Sequence, residues 1–290
     1  GLAAKSEGYA ILPDFKGAKL EKDYNAKLSA VVDRIFITPF KEASKGSPAM
    51  AEKGAAFMAS CLKFICEPAA DPPDSKFISD IKGVMQKEKC DDPRMNIWLA
   101  CAYLKAGHEE TAVTRLQRAI PKISTLPSHY AVESFARLFL AQSLEPKTGG
   151  ESEEDKANAA AFVNAIASAT ESGEFAKEDV QVVMRLLLEW KDKNSGRFWK
   201  DVWAGFKDRK GIDSWLMKAI EGETEIELAW DARGNGWGTE VTEEGWKGFA
   251  LHLSKACRLL TAAWQERPDL PEAPADRKST RLNSSHRIRY

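Results

Sequence analysis

The sequence predicts an all-α fold of stacked helical hairpins, and three observations carry that expectation. Apolar residues return at three- and four-residue intervals along almost the whole chain, the spacing that gathers them on one helix face. Strict alternation of apolar and polar residues over a strand length is nearly absent, so no half-buried strand is expected. Between the periodic runs stand helix stop and start signals, with Gly or Pro closing one run and Asp or Thr opening the next.

The elements follow in order. Residues 1–19 read as irregular. Leu28, Val31 or Val32, Ile35 and Ile37 line a first helix that Gly46-Ser47-Pro48 ends. Residues 50–65 make a second, with Phe57, Met58 and Leu62 on its apolar side, closed by the Pro-rich stretch 67–73. Asp74 is placed to cap a helix carrying Phe77, Ile78, Ile81 and Met85. Asp92-Pro93 then sets Pro in a first helical turn, where its missing N–H costs nothing. After a helix at 129–144, residues 146–155 break the pattern with Gly and acid and read as a linker. Helices are expected beyond it at 156–169, 177–190, 197–206, 215–230 and 243–264. Eight of the nine Trp fall after residue 150, which places a boundary between an N-terminal half, 1–150, and a Trp-rich half, 151–275.

With 43% hydrophobic and 29% charged residues the chain belongs among globular proteins, and no run approaches the roughly 20 apolar residues a membrane-spanning helix needs. The formal net charge is −1, with Lys and Glu interleaved. That pattern argues against a nucleic-acid or anionic-membrane surface, which needs clustered basic charge. The five cysteines show no Cys-x-x-Cys spacing and no nearby His, so they read as buried apolar thiols, with no metal and no cofactor expected. A reducing cytoplasm and an exporting compartment are both compatible with this usage.

One constellation is more specific. In Leu99, Ala100, Tyr103, Gly107, Ala112, Leu116 and Ala119 each residue has a mechanical reason in a helix–turn–helix unit. Small Ala100 admits the second helix, Tyr103 fills the groove beside it, Gly107 serves the turn, and Ala112, Leu116 and Ala119 make the facing stripe. Over about 93–121 the chain therefore resembles the tetratricopeptide repeat, departing from it in the place of Trp98 and in the early Pro121. A half-match recurs in Ala256, Leu260, Ala263 and Pro268, after which 269–273 reads like another helix start. Its first helix departs, since Gly234-Asn235-Gly236 and Val241-Thr242 interrupt it. The stretches 225–237 and 241–246 are also loosely similar to a poorly characterised bacterial family of repeat-like helical proteins. Residues 276–290 resemble a translated sequencing adapter and are expected to be a non-native, disordered tail. The tail holds five Lys or Arg against one Asp, so the remainder is four charges more acidic than the whole.

The resemblance implies an α-solenoid whose concave face binds a protein or peptide and carries out no catalysis. Trp230, Arg233, Trp237 and Trp246 fall around one expected turn, where an Arg among indoles could hold a peptide, carboxylate or sugar. The same residues also read as structure. Trp246, Phe249, Leu253, Ala256, Leu260 and Trp264 make a core stripe with Arg233 at its margin. In that reading Gly234 takes the left-handed position ending one helix, and Thr242 caps the next. His108, His129 and His252 have no partners in motif spacing, and the sequence holds no zinc-hydrolase, nucleophile-elbow or phosphate-loop signature. The enzymatic alternative is a glycan-processing or glycan-binding helical toroid with Trp199, Trp203 or Trp215 as stacking platforms and Asp201 or Asp213 as acid and base.

Overall fold

A computed structural model describes residues 17–66, 74–144, 152–193, 198–234, 236–237 and 240–272. Of these residues 82% are helical, and none lies in a strand. Residues 1–16, the Pro-rich stretch 67–73, the first part of the expected linker up to residue 151 and the adapter-like tail lie outside the described residues.

Helix α1 (Gly17–Val32) runs through a π turn (Asp33–Ile37) into α2 (Thr38–Ala43), and α3 (Pro48–Cys66) folds back beside it. Then come α4 (Ser75–Lys87), α5 (Pro93–Lys105) and α6 (Glu109–Ala119), the last continued by a 3-10 turn (Ile120–Thr125). The chain goes on through α7 (His129–Ser143), α8 (Glu153–Glu171) and α9 (Val180–Lys193) to α10 (Phe198–Phe206), α11 (Ser214–Arg233) and α12 (Glu243–Glu266). No described helix is long and apolar enough to cross a membrane.

The expected start signals work as caps. Asp74 accepts the Phe77 N–H at 2.6 Å, Asp92 that of Arg94 at 2.8 Å, and Thr242 that of Gly245 at 3.0 Å. Each satisfies a donor the first helical turn cannot, which stabilises by about 1 kcal/mol. The acid at 153–155, expected to be linker, is instead the first turn of α8. Asp155 donates its N–H to Ser152 Oγ at 3.1 Å, and Ser152 donates its N–H back to the Asp155 carboxylate at 2.9 Å. Three acids behind a Ser favour a helix N-terminus because its partial positive charge attracts them.

Most buried apolar residues join one core that draws on residues from Leu28 to Leu270, from both sides of residue 150. Fully buried Trp98, out of place for the repeat, packs edge-on against Phe36 at 5.5 Å and Phe139 at 6.1 Å. Further along, Phe162 stacks on Trp190 with centroids 4.2 Å apart. Lys27 donates to Gln181 at 2.8 Å and Arg34 pairs with Asp179, so α1 and the turn after it are tied to the start of α9. Cys61 and Cys101 are buried, and burial pushes the Cys101 thiol up to about 12, as suits a small apolar filler.

The α5–α6 unit is a tight hairpin. Ala100, Ala112, Leu116 and Ala119 are all fully buried, and Gly107 turns the chain at φ +75°, a conformation that favours glycine. The Tyr103 carbonyl accepts the His108 N–H at 2.9 Å across that turn. A second hairpin, α11–α12, ends the described chain. Its helices approach closely because the contact residues are small. A Cβ on Gly248 would sit 2.8 Å from Ala232 Cβ, and one on Gly245 would lie 3.0 Å from the Ala232 carbonyl oxygen.

Candidate functional site

That close approach at the open end of α11–α12 sets the aromatic residues side by side. Trp230 and Arg233 stand one turn apart at the end of α11, and Trp246 opens α12. The Arg233 guanidinium lies 5.6 Å from the Trp230 ring centre and 5.5 Å from that of Trp246, a cation held against two indoles. Phe249 meets both rings edge-on, Trp230 at 5.3 Å and Trp246 at 5.8 Å. Beneath them Ala229, Phe249 and Leu253 form a small buried cluster of their own, with Trp246 half-buried against it.

Arg233 donates to the Gly234 carbonyl at 3.1 Å and meets no carboxylate among the described residues. Trp230 is 41% exposed. Gly234 ends the helix at φ +74° as expected, but its ψ of 177° is extended, so the chain leaves α11 outward instead of curling into the left-handed helical position. Trp237 therefore stands apart from the stack at 82% exposure. It sits on a turn in which its N–H donates to the Glu240 carboxylate and its carbonyl accepts the Glu240 N–H, both at 2.8 Å. The structure thus brings Trp230, Arg233 and Trp246 together and leaves Trp237 beside them. Of the expected core stripe, Phe249, Leu253, Ala256 and Leu260 are buried, whereas Trp246 and Trp264 are only half covered.

Of the remaining candidates Asp201 is exposed and Trp203 half-buried on α10, while the others take structural places. His252 Nδ1 lies 2.6 Å from Glu225, which Lys255 also reaches at 3.2 Å. His129 lies against the Tyr130 ring at 4.0 Å, and His108 meets Tyr103 edge-on at 6.1 Å. Trp199 and Trp215 are buried and offer no ring face to a sugar, while Asp213 caps α11 by accepting the Trp215 N–H at 2.9 Å. Glu227, half-buried on α11, accepts the Trp199 N–H at 2.7 Å and so closes the start of α10. Burial raises its carboxyl above the ordinary glutamate value. No cluster of three or more His, Cys, Asp or Glu among the described residues could hold a metal ion.

Sequence reasoning missed a pocket elsewhere. Lys82 on α4, Lys89 after it, and Arg115 and Arg118 on α6 converge around Asp91 and Asn96. These cations are scattered singly along the sequence, and only the fold collects them. Compared with known protein families, characterised proteins and solved structures, the chain matches none.

Proposed function

We propose that the chain is a non-catalytic helical scaffold, its hairpins stacked in the manner of a tetratricopeptide-like α-solenoid, that binds a protein or peptide partner. The observation that carries this reading is the Arg233 guanidinium held between Trp230 and Trp246 at the surface with no carboxylate among the described residues. Arg and Trp are the residues that most often dominate binding energy at interfaces, because one supplies directed charge and the other a large rigid apolar area. A guanidinium flanked by rings cannot rearrange freely, so a carboxylate meeting it loses little to ordering. Function inferred from architecture alone is analogy, and the site is what gives it content.

Selection from a random peptide display library on the purified chain tests the reading. Peptides carrying a carboxylate next to an apolar side chain should be enriched by the parent and lost with Arg233→Ala or Trp230→Ala. Enrichment that survives both substitutions, or none above background, removes this surface as the site. The glycan-binding alternative rests on the exposed ring of Trp237. It is favoured instead if oligosaccharides quench tryptophan fluorescence in the parent but not in Trp237→Ala.

A further inference from the structure

A second binding site, unrelated to the aromatic patch, lies where α4, α5 and α6 meet. The pocket has a volume of about 400 Å³, within the roughly 300–1,000 Å³ of small-molecule sites. Four cations line it: Lys82, Lys89, Arg115 and Arg118. Its one acid, Asp91, is already matched, since Arg118 pairs with it at 2.9 Å and Lys122 pairs with it from the side. Those contacts, the Lys122 hydrogen bond first, hold the Asp91 carboxyl below its ordinary value, so it stays ionised and bound. Lys82, Lys89 and Arg115 meet no carboxylate among the described residues. In a chain of net charge −1, three unmatched cations facing one cavity are a concentration of charge that folding alone does not call for.

The pocket is also built. Asn96 is buried to 1% exposure at its base. Its carbonyl oxygen accepts a bond from Arg115 at 2.9 Å, and its amide donates to Asp91 at 3.3 Å and to the Asp92 carbonyl at 3.2 Å. Arg115 is thereby oriented with most of its N–H groups left for a ligand. Lys89 sits at φ +51°, in the left-handed region where glycine is the ordinary residue after a helix. A lysine there strains the backbone and, in return, sets a cation at the pocket.

We propose that this pocket binds a phosphate group, carried by a phosphorylated small molecule or by a phosphorylated side chain. Several unmatched cations favour a compact dianion over a single carboxylate, and a guanidinium fork suits its oxygens.

The test uses the full chain and inorganic phosphate as probe, read by thermal shift and titration calorimetry at low ionic strength. Phosphate should raise the melting temperature above that in chloride of matched ionic strength. Arg115→Met should weaken phosphate binding about tenfold, the effect of losing one charge-assisted contact. Should Arg115→Met fail to fold, Lys82→Met, exposed on α4, gives the same reading. Lys89→Gly separates structure from binding. It removes strain, so the unligated protein should melt higher while phosphate binds more weakly. No phosphate effect beyond chloride, equal shifts from acetate or citrate, or full binding by the variants overturns the proposal. Glycerol phosphate and a phosphoserine peptide then distinguish the two sources, the tighter binder naming the natural one.

Discussion

The second helices of the hairpins α5–α6 and α11–α12 carry the same spacing of small and apolar residues, Ala112, Leu116 and Ala119 in one and Ala256, Leu260 and Ala263 in the other, yet one hairpin is sealed and the other open. Helix α5 lies among α3, α6 and α7, so Trp98, Leu99, Ala100 and Cys101 are all buried. Helix α12 packs chiefly along α11. It buries Ala256, Leu260 and Ala263 there, leaves Leu251 58% exposed and lets Trp246 and Trp230 reach the surface. Spacing therefore specifies the pairing of two helices, while the presence of a third and fourth neighbour decides whether the large residues become core or surface.

The largest expected effect compares a tryptophan from each hairpin. Trp98→Ala empties a site walled by Phe36 and Phe139 and should cost about 3–5 kcal/mol. Trp246→Ala uncovers a half-buried ring and should cost roughly 1–2 kcal/mol, since only part of its area leaves contact. Urea unfolding of both variants measures the gap. Equal losses would mean that the C-terminal hairpin is as closed as the other and that the Trp230 surface is core.

The comparison sharpens at a smaller scale with the buried alanines. Ala100→Leu must push α5 against neighbours on several sides and should cost about 1–3 kcal/mol by overpacking. Ala256→Leu, equally buried in α12, should cost less, because α12 has freedom to lean away from α11. If Ala256→Leu is the worse of the two, α11–α12 is held more rigidly than its neighbours suggest.

The same contrast explains what could be read in the sequence. Helix positions, the caps at Asp74 and Thr242, the place of Pro93 in a first helical turn and the α5–α6 contact residues follow from local spacing and were legible. Local patterns mislead where two structures share one signature. The acid at 153–155 suits either a linker or a first helical turn, and Gly234 suits any positive φ. The aromatic group was legible as neighbours because Trp230 and Arg233 lie one helical turn apart at the end of α11 and Trp246 lies near the start of α12, across the same connection. Trp237 was drawn into it by sequence proximity, which the extended ψ at Gly234 undoes. The basic pocket was not legible, since its cations come from α4, the loop after it and α6, each among ordinary surface charge.

The smallest expected effect concerns pH and sets one carboxylate from each region against the other. Asp91, beside α5, is held below its ordinary value by Lys122, so it contributes stability above the unfolded aspartate value, and that contribution is lost as pH falls through the lower folded value. Glu227 on α11 is raised by burial, which reverses the sign. Between the ordinary glutamate value and the higher folded one, the folded chain holds a proton that the unfolded chain releases, so stability falls as pH rises through that window. Glu227→Gln keeps an acceptor for the Trp199 N–H and removes the charge. Relative to the parent it should therefore gain stability as pH rises toward neutrality and show no gain at acid pH. Asp91→Asn should do the opposite, losing most against the parent at neutral pH and least in acid. Melting temperatures of both variants against the parent across acid to neutral pH read these differences directly. Slopes of the same sign would show that Lys200 of α10, its ammonium 3.9 Å from the Glu227 carboxylate, stabilises the charged form by more than burial disfavours it.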